Sequence, residues 1–235
     1  MSLSERLEAI AAYVPKGGTL ADIACDHALL ARSLTARGHV SKAIAADLRA
    51  EPLRRAKVAA QSEGLSSERL IFRQGNGLEI LAPGECDVIV ISGVGGKLIQ
   101  KMLDQVPQVV DQAKRLILSP QRSPWMVRRW ASEHQFRIVD ERVIMENGYF
   151  YEVIVLEPGS AGPPLSDVAI HLGPVLAAGE DLFTRQYLAW RKEADQRALA
   201  HMRKVAAENP AVQAKIDYLL CIWQSWEEEY DGFNG

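Results

Sequence analysis

The sequence predicts an α/β fold: a mostly parallel sheet closed by an antiparallel hairpin, followed by a separate helical region. Three observations carry this. Short runs rich in Val, Ile, Leu and Ala alternate with amphipathic stretches of helix length from Thr19 to Trp130, the pattern of strands covered on both faces by crossover helices. Two longer extended runs, Phe136–Met145 and Phe150–Leu156, flank Asn147-Gly148, a strong hairpin signal. Beyond a Pro/Gly-rich break at Glu157–Pro164, the periodicity becomes purely helical.

Taken in order, Ser4 is placed to cap a helix over Glu5–Tyr13, with Leu7, Ile10 and Ala11 on one face. Lys16-Gly17-Gly18 turns the chain into a first strand, Leu20–Ala24. Ala28–Arg37 suits a helix ended by Gly38, and Lys42–Ala46 reads as a second buried strand that ends at Asp47. Pro52 sits near the start of the next helix, which Gly64 closes. Leu70–Arg73 is a third strand, with the turn Gly75-Asn76-Gly77 behind it. Asp87–Ile91 is the clearest core strand and runs directly into Ser92-Gly93-Val94-Gly95-Gly96, then a helix over Lys97–Gln105 with Leu98, Met102 and Val106 as its apolar face. Leu116–Leu118 makes a fifth strand ended by Pro120; Ser123 is read as the cap of a helix with Pro124 at its first position.

After the break, Asp181–Glu208 reads as one long helix in which Phe183, Tyr187, Trp190 and Ala194 recur at three- and four-residue spacing. Asn209-Pro210 interrupts it, and Ile216, Leu219, Trp223 and Trp226 repeat the pattern. Two antiparallel helices covering each other's apolar stripes would satisfy both, with the tryptophans buried against the first helix or in a dimer. The expected domains are residues 1–160, carrying the sheet, and 161–235, a helical hairpin.

The composition supports this. Of 235 residues, 48% are hydrophobic and 24% charged, enough for a real core and too apolar for general disorder. No run approaches the roughly 20 apolar residues that span a bilayer, and no basic-then-apolar start marks a signal peptide, so the expectation is a cytoplasmic protein with no membrane partner. A net charge of -3 does not advertise nucleic-acid binding, although a local basic surface still permits it. The 3 cysteines, Cys25, Cys86 and Cys221, have no C-x-x-C spacing and read as buried strand or helix residues; His39, His134, His171 and His201 lack metal spacing, and no metal site is expected.

In an open parallel sheet, ligands bind beyond the carboxyl ends of the strands. Asp22, Asp26 and His27 lie where the first strand opens into a helix, within Thr19–Leu30. Either carboxylate can meet a ligand ammonium or cap that helix; His27 can orient a base, accept a proton, or cap. Asp47, ending the second strand, can accept both ribose hydroxyls of an NAD-like or an adenosyl cofactor. Asn76 and Gly77 can offer an amide and a backbone N–H to an adenine edge. Gly93, Gly95 and Gly96 follow the fourth strand, not the first, so they are no dinucleotide fingerprint, and Leu98 after Gly96-Lys97 rules out a phosphate loop. Small residues there let a flat substrate or a methyl donor approach the backbone. Basic residues gather at Arg49, Arg54, Arg55 and Lys57, at Arg122, Arg128 and Arg129, and along the long helix at Arg185, Arg191, Lys192, Arg197, Arg203 and Lys204; they are phosphate-binding surfaces or solvated helix faces. Arg122 and Trp125, just past a strand end, can reach a phosphate and a base. The hairpin finish favours a Rossmann-like, class I methyltransferase-type sheet over a dinucleotide fold built from two similar halves.

These motifs, in this order, resemble the bacterial tRNA adenine-N1 methyltransferases that modify position 22. The matching features are SERLEAIAAYVPKGGTLADI, the D-H-A of CDHAL, GNGLE, ISGVGGKLI, LIL followed by Pro120, PWMVRRW, ENGYFYEVIV, and LGP before a long helix. The resemblance implies an S-adenosylmethionine-dependent domain joined to a helical, coiled-coil-like domain that helps hold tRNA. By motif it carries over Asp22, Asp26, His27, Asp47, Asn76, Gly77, Leu78, Gly93, Gly95 and Gly96. With the strand-end and basic-face residues added, the expected cofactor residues are Asp22, Asp26, Asp47, Leu48, Asn76, Gly77, Leu78 and Gly93, and the expected substrate residues are His27, Gly95, Gly96, Arg122, Trp125, Arg191, Arg197 and Arg203. Ala24-Cys25 replaces the usual Gly-Ser, Leu29 a common Tyr, Ala31 a Pro, Val94 a Met, and Ser119-Pro120-Gln121 a Gln-Pro-Asn-like stretch; the changes at Leu29 and Ser119–Gln121 bear on target selection. Adenine N1 carries a lone pair and needs no strong base, so Asp26 and His27 are expected to orient and electrostatically support the adenine, with no covalent nucleophile. A monomer is expected. The rival readings are an adenosylmethionine-dependent enzyme of another RNA base or a small molecule, and a catalytically idle RNA-binding or assembly protein.

Overall fold

A computed structural model of the chain describes residues 2–159, 162–206 and 209–231. Residues 160–161, inside the expected interdomain break, and 207–208, at the end of the expected long helix, lie outside the described residues. The chain divides into two compact units, Met1–Pro163 and Pro164–Gly235. Among the described residues, no helix is long and apolar enough to cross a membrane.

The first unit is built on a 7-stranded sheet. Its strands are β1 (Thr19–Ile23), β2 (Lys42–Asp47), β3 (Leu70–Gln74), β4 (Val88–Ser92), β5 (Arg115–Ser119), β6 (Phe136–Glu146) and β7 (Tyr149–Pro158), in the spatial order β3-β2-β1-β4-β5-β7-β6. The first five run parallel; β7 joins β5 antiparallel and pairs with β6 as the hairpin. At the hairpin turn Asn147 and Gly148 both have positive φ, 52° and 79°, the left-handed pair that matches strand twist. This is the mostly parallel sheet, closed by an antiparallel hairpin, that the sequence predicts.

The alternation along the strands divides the core. Ala21, Ile23, Ile44, Ile89, Ile91 and Leu116 face one way, onto α4 (Gly96–Gln105), α5 (Pro107–Val110) and α6 (Pro124–Glu133). Leu20, Ala43, Ala45, Val88, Val90 and Ile117 face the other, onto α1 (Glu5–Ala12), α2 (Leu29–Ala36) and α3 (Ala50–Ser62). Ser4 caps α1 through the Leu7 N–H at 3.4 Å. Ser123, expected to cap α6, does not: its backbone is left-handed, with φ 58°, and its side chain makes no capping bond, because a cap requires an extended backbone. Instead its carbonyl presses on α4, where a Cβ on Gly96 would lie 2.2 Å from Ser123 O. Gly96 is therefore a close-packing residue between α4 and the loop before α6.

Two further expectations are corrected. Arg128, read within a basic surface run, is completely buried; its Nε donates to Glu141 on β6 at 2.6 Å and its Nη2 to Glu152 on β7. The apolar stripe of α6 turns it inward, where only paired charge is tolerated. Of the cysteines, Cys86 is buried but precedes β4, Cys25 is half-buried in the loop after β1, and Cys221 is exposed; thiol chemistry leaves no sequence pattern that sets its direction.

The second unit contains α7 (Asp167–Leu172), α8 (Pro174–Ala177), α9 (Leu182–Met202) and α10 (Pro210–Trp226). Two short helices thus occupy the stretch before the long one, which ends earlier than its periodicity suggests: Lys204 and Val205 bond back three residues, to His201 and Met202, and tighten the chain. Asn209 caps α10 through the Ala211 and Val212 N–H groups, with Pro210 at its first position. Leu199 packs on Ile216 and Leu219. Trp223 donates to Asp195 at 3.0 Å and Trp226 to Ala177 O at 3.0 Å, and both rings are buried. Trp190, expected on the apolar stripe, is exposed, and Tyr187 with Leu188 takes the buried side.

Candidate functional site

β1 lies between β2 and β4, where the strand order reverses, so the loops after these strands diverge and leave a crevice. A cavity of about 540 Å³ opens there, within the roughly 300–1,000 Å³ range of small-molecule sites.

Asp22, on β1, is almost wholly buried and accepts the Ala31 N–H in the first turn of α2 at 3.2 Å. Burial, reinforced by the charge of Asp47 and opposed by the Ala31 N–H, raises its carboxyl to about 7. The following loop turns on three non-glycine residues in left-handed conformation: Ala24 at φ 56°, Asp26 at 49° and Ala28 at 51°. Two bonds pin it to β2, from Cys25 N to Ala46 O at 3.0 Å and from Asp26 N to Asp47 Oδ2 at 2.9 Å. Asp47, also buried, receives the Arg49 N–H on its other oxygen at 2.9 Å. Arg49, which the sequence groups with a basic run, is turned across the loop: Nη2 donates to Asp26 at 3.0 Å and Nε approaches Asp47 at 3.4 Å. His27 Nε2 stands 3.7 Å from Asp26.

Beyond β3, Asn76 Nδ2 bonds Glu79 at 3.0 Å and Gly77 is left-handed at φ 55°, with Met102 Cγ 2.8 Å from where a Cβ would be. Beyond β4, Gly93 has φ 79° and open space where a Cβ would point, leaving the backbone approachable. The loop is fastened to the one after β5 by Gln121 N to Val94 O at 2.9 Å and Gly96 N to Arg122 O at 2.8 Å.

The cavity brings together Asp22, Asp26 and His27 from the first loop, Asp47 and Leu48 from the second, Asn76 and Gly77 from the third, and Gly93 from the fourth. Leu78 does not line it; its side chain is buried in the core beneath. Gly95 and Gly96 also stand outside, at the start of α4, while Arg122 is exposed and Trp125 half-buried, with the Arg129 guanidinium 5.0 Å from its ring. In the second unit, Arg191 is turned inward, donating to the Tyr187 hydroxyl at 2.9 Å and approaching His171 O at 3.4 Å. Arg197 and Arg203 are exposed on or just past the same helix.

The wall also includes residues the sequence reading did not place there: Arg6 and Leu7 from α1, Cys25, Ser92, and Gln121. Arg6 has no spacing relation to the strand-end motifs, so no sequence signal could have found it. Burial, with the charges of Asp22 and Asp47, pushes the Cys25 thiol up, so no thiolate nucleophile faces the cavity. The arrangement is an acid-rich crevice with approachable backbone, suited to holding a cationic ligand that carries hydroxyls.

The methyltransferase domain family matches residues 3–154. The tRNA (adenine(22)-N(1))-methyltransferase of Bacillus subtilis (strain 168) is 35% identical over 181 residues, 75% of this chain and 76% of that protein. The crystal structure of the B. subtilis m1A22 tRNA methyltransferase TrmK superposes with a TM-score of 0.85 at 30% identity, covering 97% of this chain and 98% of that one. A Streptococcus pneumoniae protein solved in complex with S-adenosyl-L-methionine gives a TM-score of 0.79 at 30% identity, covering 94% and 99%.

Proposed function

Because the chain belongs to the bacterial tRNA (adenine(22)-N(1))-methyltransferase family, we propose the residue roles below for its reaction. The enzyme transfers the methyl group of S-adenosylmethionine to N1 of adenine 22 in tRNA. The cofactor, when bound, supplies an electrophilic methyl group on a sulfonium.

The residues present fit this group. Asp47, buried at the end of β2 with both oxygens already oriented by backbone N–H donors, accepts the ribose hydroxyls on its remaining lone pairs. Asp22 and Asp26 face the amino-acid ammonium. Asn76 and Gly77 meet the adenine edge beside Leu48, and the Leu78 backbone continues that turn. The bare backbone at Gly93 admits the sulfonium and methyl. Asp26 and His27 orient the target adenine, and Asp26, held by Arg49, tolerates the cation that forms on the methylated base. N1 attacks with its own lone pair, so no residue removes a proton first.

Gly95, Arg122 and Trp125 form the approach from the α4 side, with Gly96 packing α4 against the loop that carries Arg122 and Arg122 reaching phosphate. The helical domain supplies backbone contacts through Arg197 and Arg203, which offset the few kcal/mol, roughly, of opening a stacked base; Arg191 contributes by holding that domain together. The enzyme acts in the cytoplasm, where tRNA is found, and as a monomer, since one chain carries every cavity residue named.

The observation that carries this reading is the convergence of Asp22, Asp47, Asn76 and Gly93 on one cavity at the strand-order reversal. Labelled S-adenosylmethionine incubated with the protein and unmodified tRNA should place N1-methyladenosine at position 22, and tRNA with guanine there should take no label. Label at another nucleoside would overturn the assignment.

A further inference from the structure

Arg6 lies in the first turn of α1 and lines the same cavity as Asp22 and Gly93. Its side chain is only 19% exposed. The Tyr151 ring centroid is 4.9 Å from its guanidinium carbon, and Glu146 stands 3.7 Å from Nε, too far to accept a hydrogen bond. Nε and Nη1 are both buried and neither has a hydrogen-bond partner. Buried donors of a charged group are rarely left unsatisfied, and an exception asks for an explanation such as a missing ligand.

One charge of the cofactor is not matched by the acids of the cavity. Bound S-adenosylmethionine brings a sulfonium and an ammonium, which suit Asp22, Asp26 and Asp47, and also a carboxylate, which those acids repel. Arg49 is engaged by Asp26 and Asp47, at the β2 side where the ribose is held. Arg6 enters from α1, which packs on β6, β7 and α2 rather than on β2 or β3, away from the nucleoside end.

We propose that Arg6 binds the carboxylate of the amino-acid end of S-adenosylmethionine, with Glu146 and Tyr151 holding its guanidinium in place. This rests on the cofactor reading of the cavity. A guanidinium against the target base would oppose the cation formed on N1, and an arginine serving an RNA phosphate would gain nothing from burying Nε and Nη1.

The test measures affinities of wild type, Arg6→Met and Arg6→Lys by calorimetry for S-adenosylmethionine, S-adenosylhomocysteine and 5′-methylthioadenosine, which lacks the amino-acid portion, with tRNA binding in parallel. Arg6→Met should weaken the first two about 10- to 100-fold while leaving 5′-methylthioadenosine within about two-fold; Arg6→Lys should recover part of the loss. Unchanged 5′-methylthioadenosine binding also shows that the variant is folded. Equal loss for all three ligands would overturn the proposal and make Arg6 a shaper of the cavity. Unchanged cofactor affinity with weakened tRNA binding would overturn it in favour of an RNA contact. A wild type that binds 5′-methylthioadenosine no worse than S-adenosylmethionine would remove the amino-acid subsite itself, whereas a wild type that binds neither would fail the cofactor reading first.

Discussion

The carboxylate of Asp47 accepts the backbone N–H of Asp26 at 2.9 Å, joining the end of β2 to the loop that leaves β1. One buried acid therefore orients the loop that carries Asp26 and His27 and also faces the cavity. Asp47→Asn keeps an oxygen for that N–H but loses the acceptor of the Arg49 N–H, and should still fold while binding S-adenosylmethionine about tenfold more weakly. Asp47→Ala removes the acceptor as well and should cost about 100-fold by calorimetry.

Asp22 links stability to pH. Its carboxyl is raised from an ordinary 3.8 to about 7, so across that window the folded protein holds a proton that the unfolded chain has released. Unfolding free energy should then fall as pH rises towards 7 and level off above it. Asp22→Asn retains an acceptor for Ala31 and carries no such penalty. At pH 8 the variant should be more stable than wild type by on the order of a few kcal/mol in denaturant titrations, with the difference vanishing near pH 4. Its cofactor affinity should be lower at pH 8, where wild type presents a carboxylate to the ammonium.

Ala24 occupies a left-handed position, φ 56°, where the resembling family has glycine. Relief of that strain, less the entropy of the added glycine, should make Ala24→Gly more stable by about 1 kcal/mol, seen as a rise of about 2–4 °C in Tm. Ala24→Val should move the other way and lower cofactor affinity, because the residue lines the cavity.

Arg128 holds Glu141 and Glu152 in the core. Arg128→Met leaves two buried carboxylates without their shared cation and should cost about 3–5 kcal/mol in denaturant unfolding at neutral pH. Replacing all three by apolar residues of similar volume should recover most of the loss.

Arg197 and Arg203 are exposed while Arg191 is packed. The double change of Arg197 and Arg203 to Gln should weaken tRNA binding and lower its salt slope by about 2, one for each charge removed, with cofactor affinity unchanged. Arg191→Gln should instead lower the Tm, since it breaks the contacts to Tyr187 and His171.

Much of this was legible in the chain because it is encoded locally. The strands follow from short buried runs, the hairpin from Asn147-Gly148, and the placement of Asp22, Asp47 and Asn76 from their positions at strand ends. Even so, local signals misjudged Ser123, whose left-handed backbone cancels its capping, and Trp190, whose spacing fits a stripe it does not join.

By itself the sequence determined the order of elements, the acids at the strand ends, and the glycines where backbone must come close, because each depends on residues a few positions apart. Only the tertiary structure decided which way charge points. Arg6 lines the cavity, Arg49 reaches back to Asp26, Arg128 is entombed and Arg191 folds inward, while Arg54 and Arg55 on α3, Arg129 on α6 and Arg197 on α9 face water. The physical reason is that a guanidinium's surroundings are set by burial and by acids brought near through long-range packing, such as Glu146, 140 residues from Arg6 and 3.7 Å from its Nε, and no local spacing records that encounter.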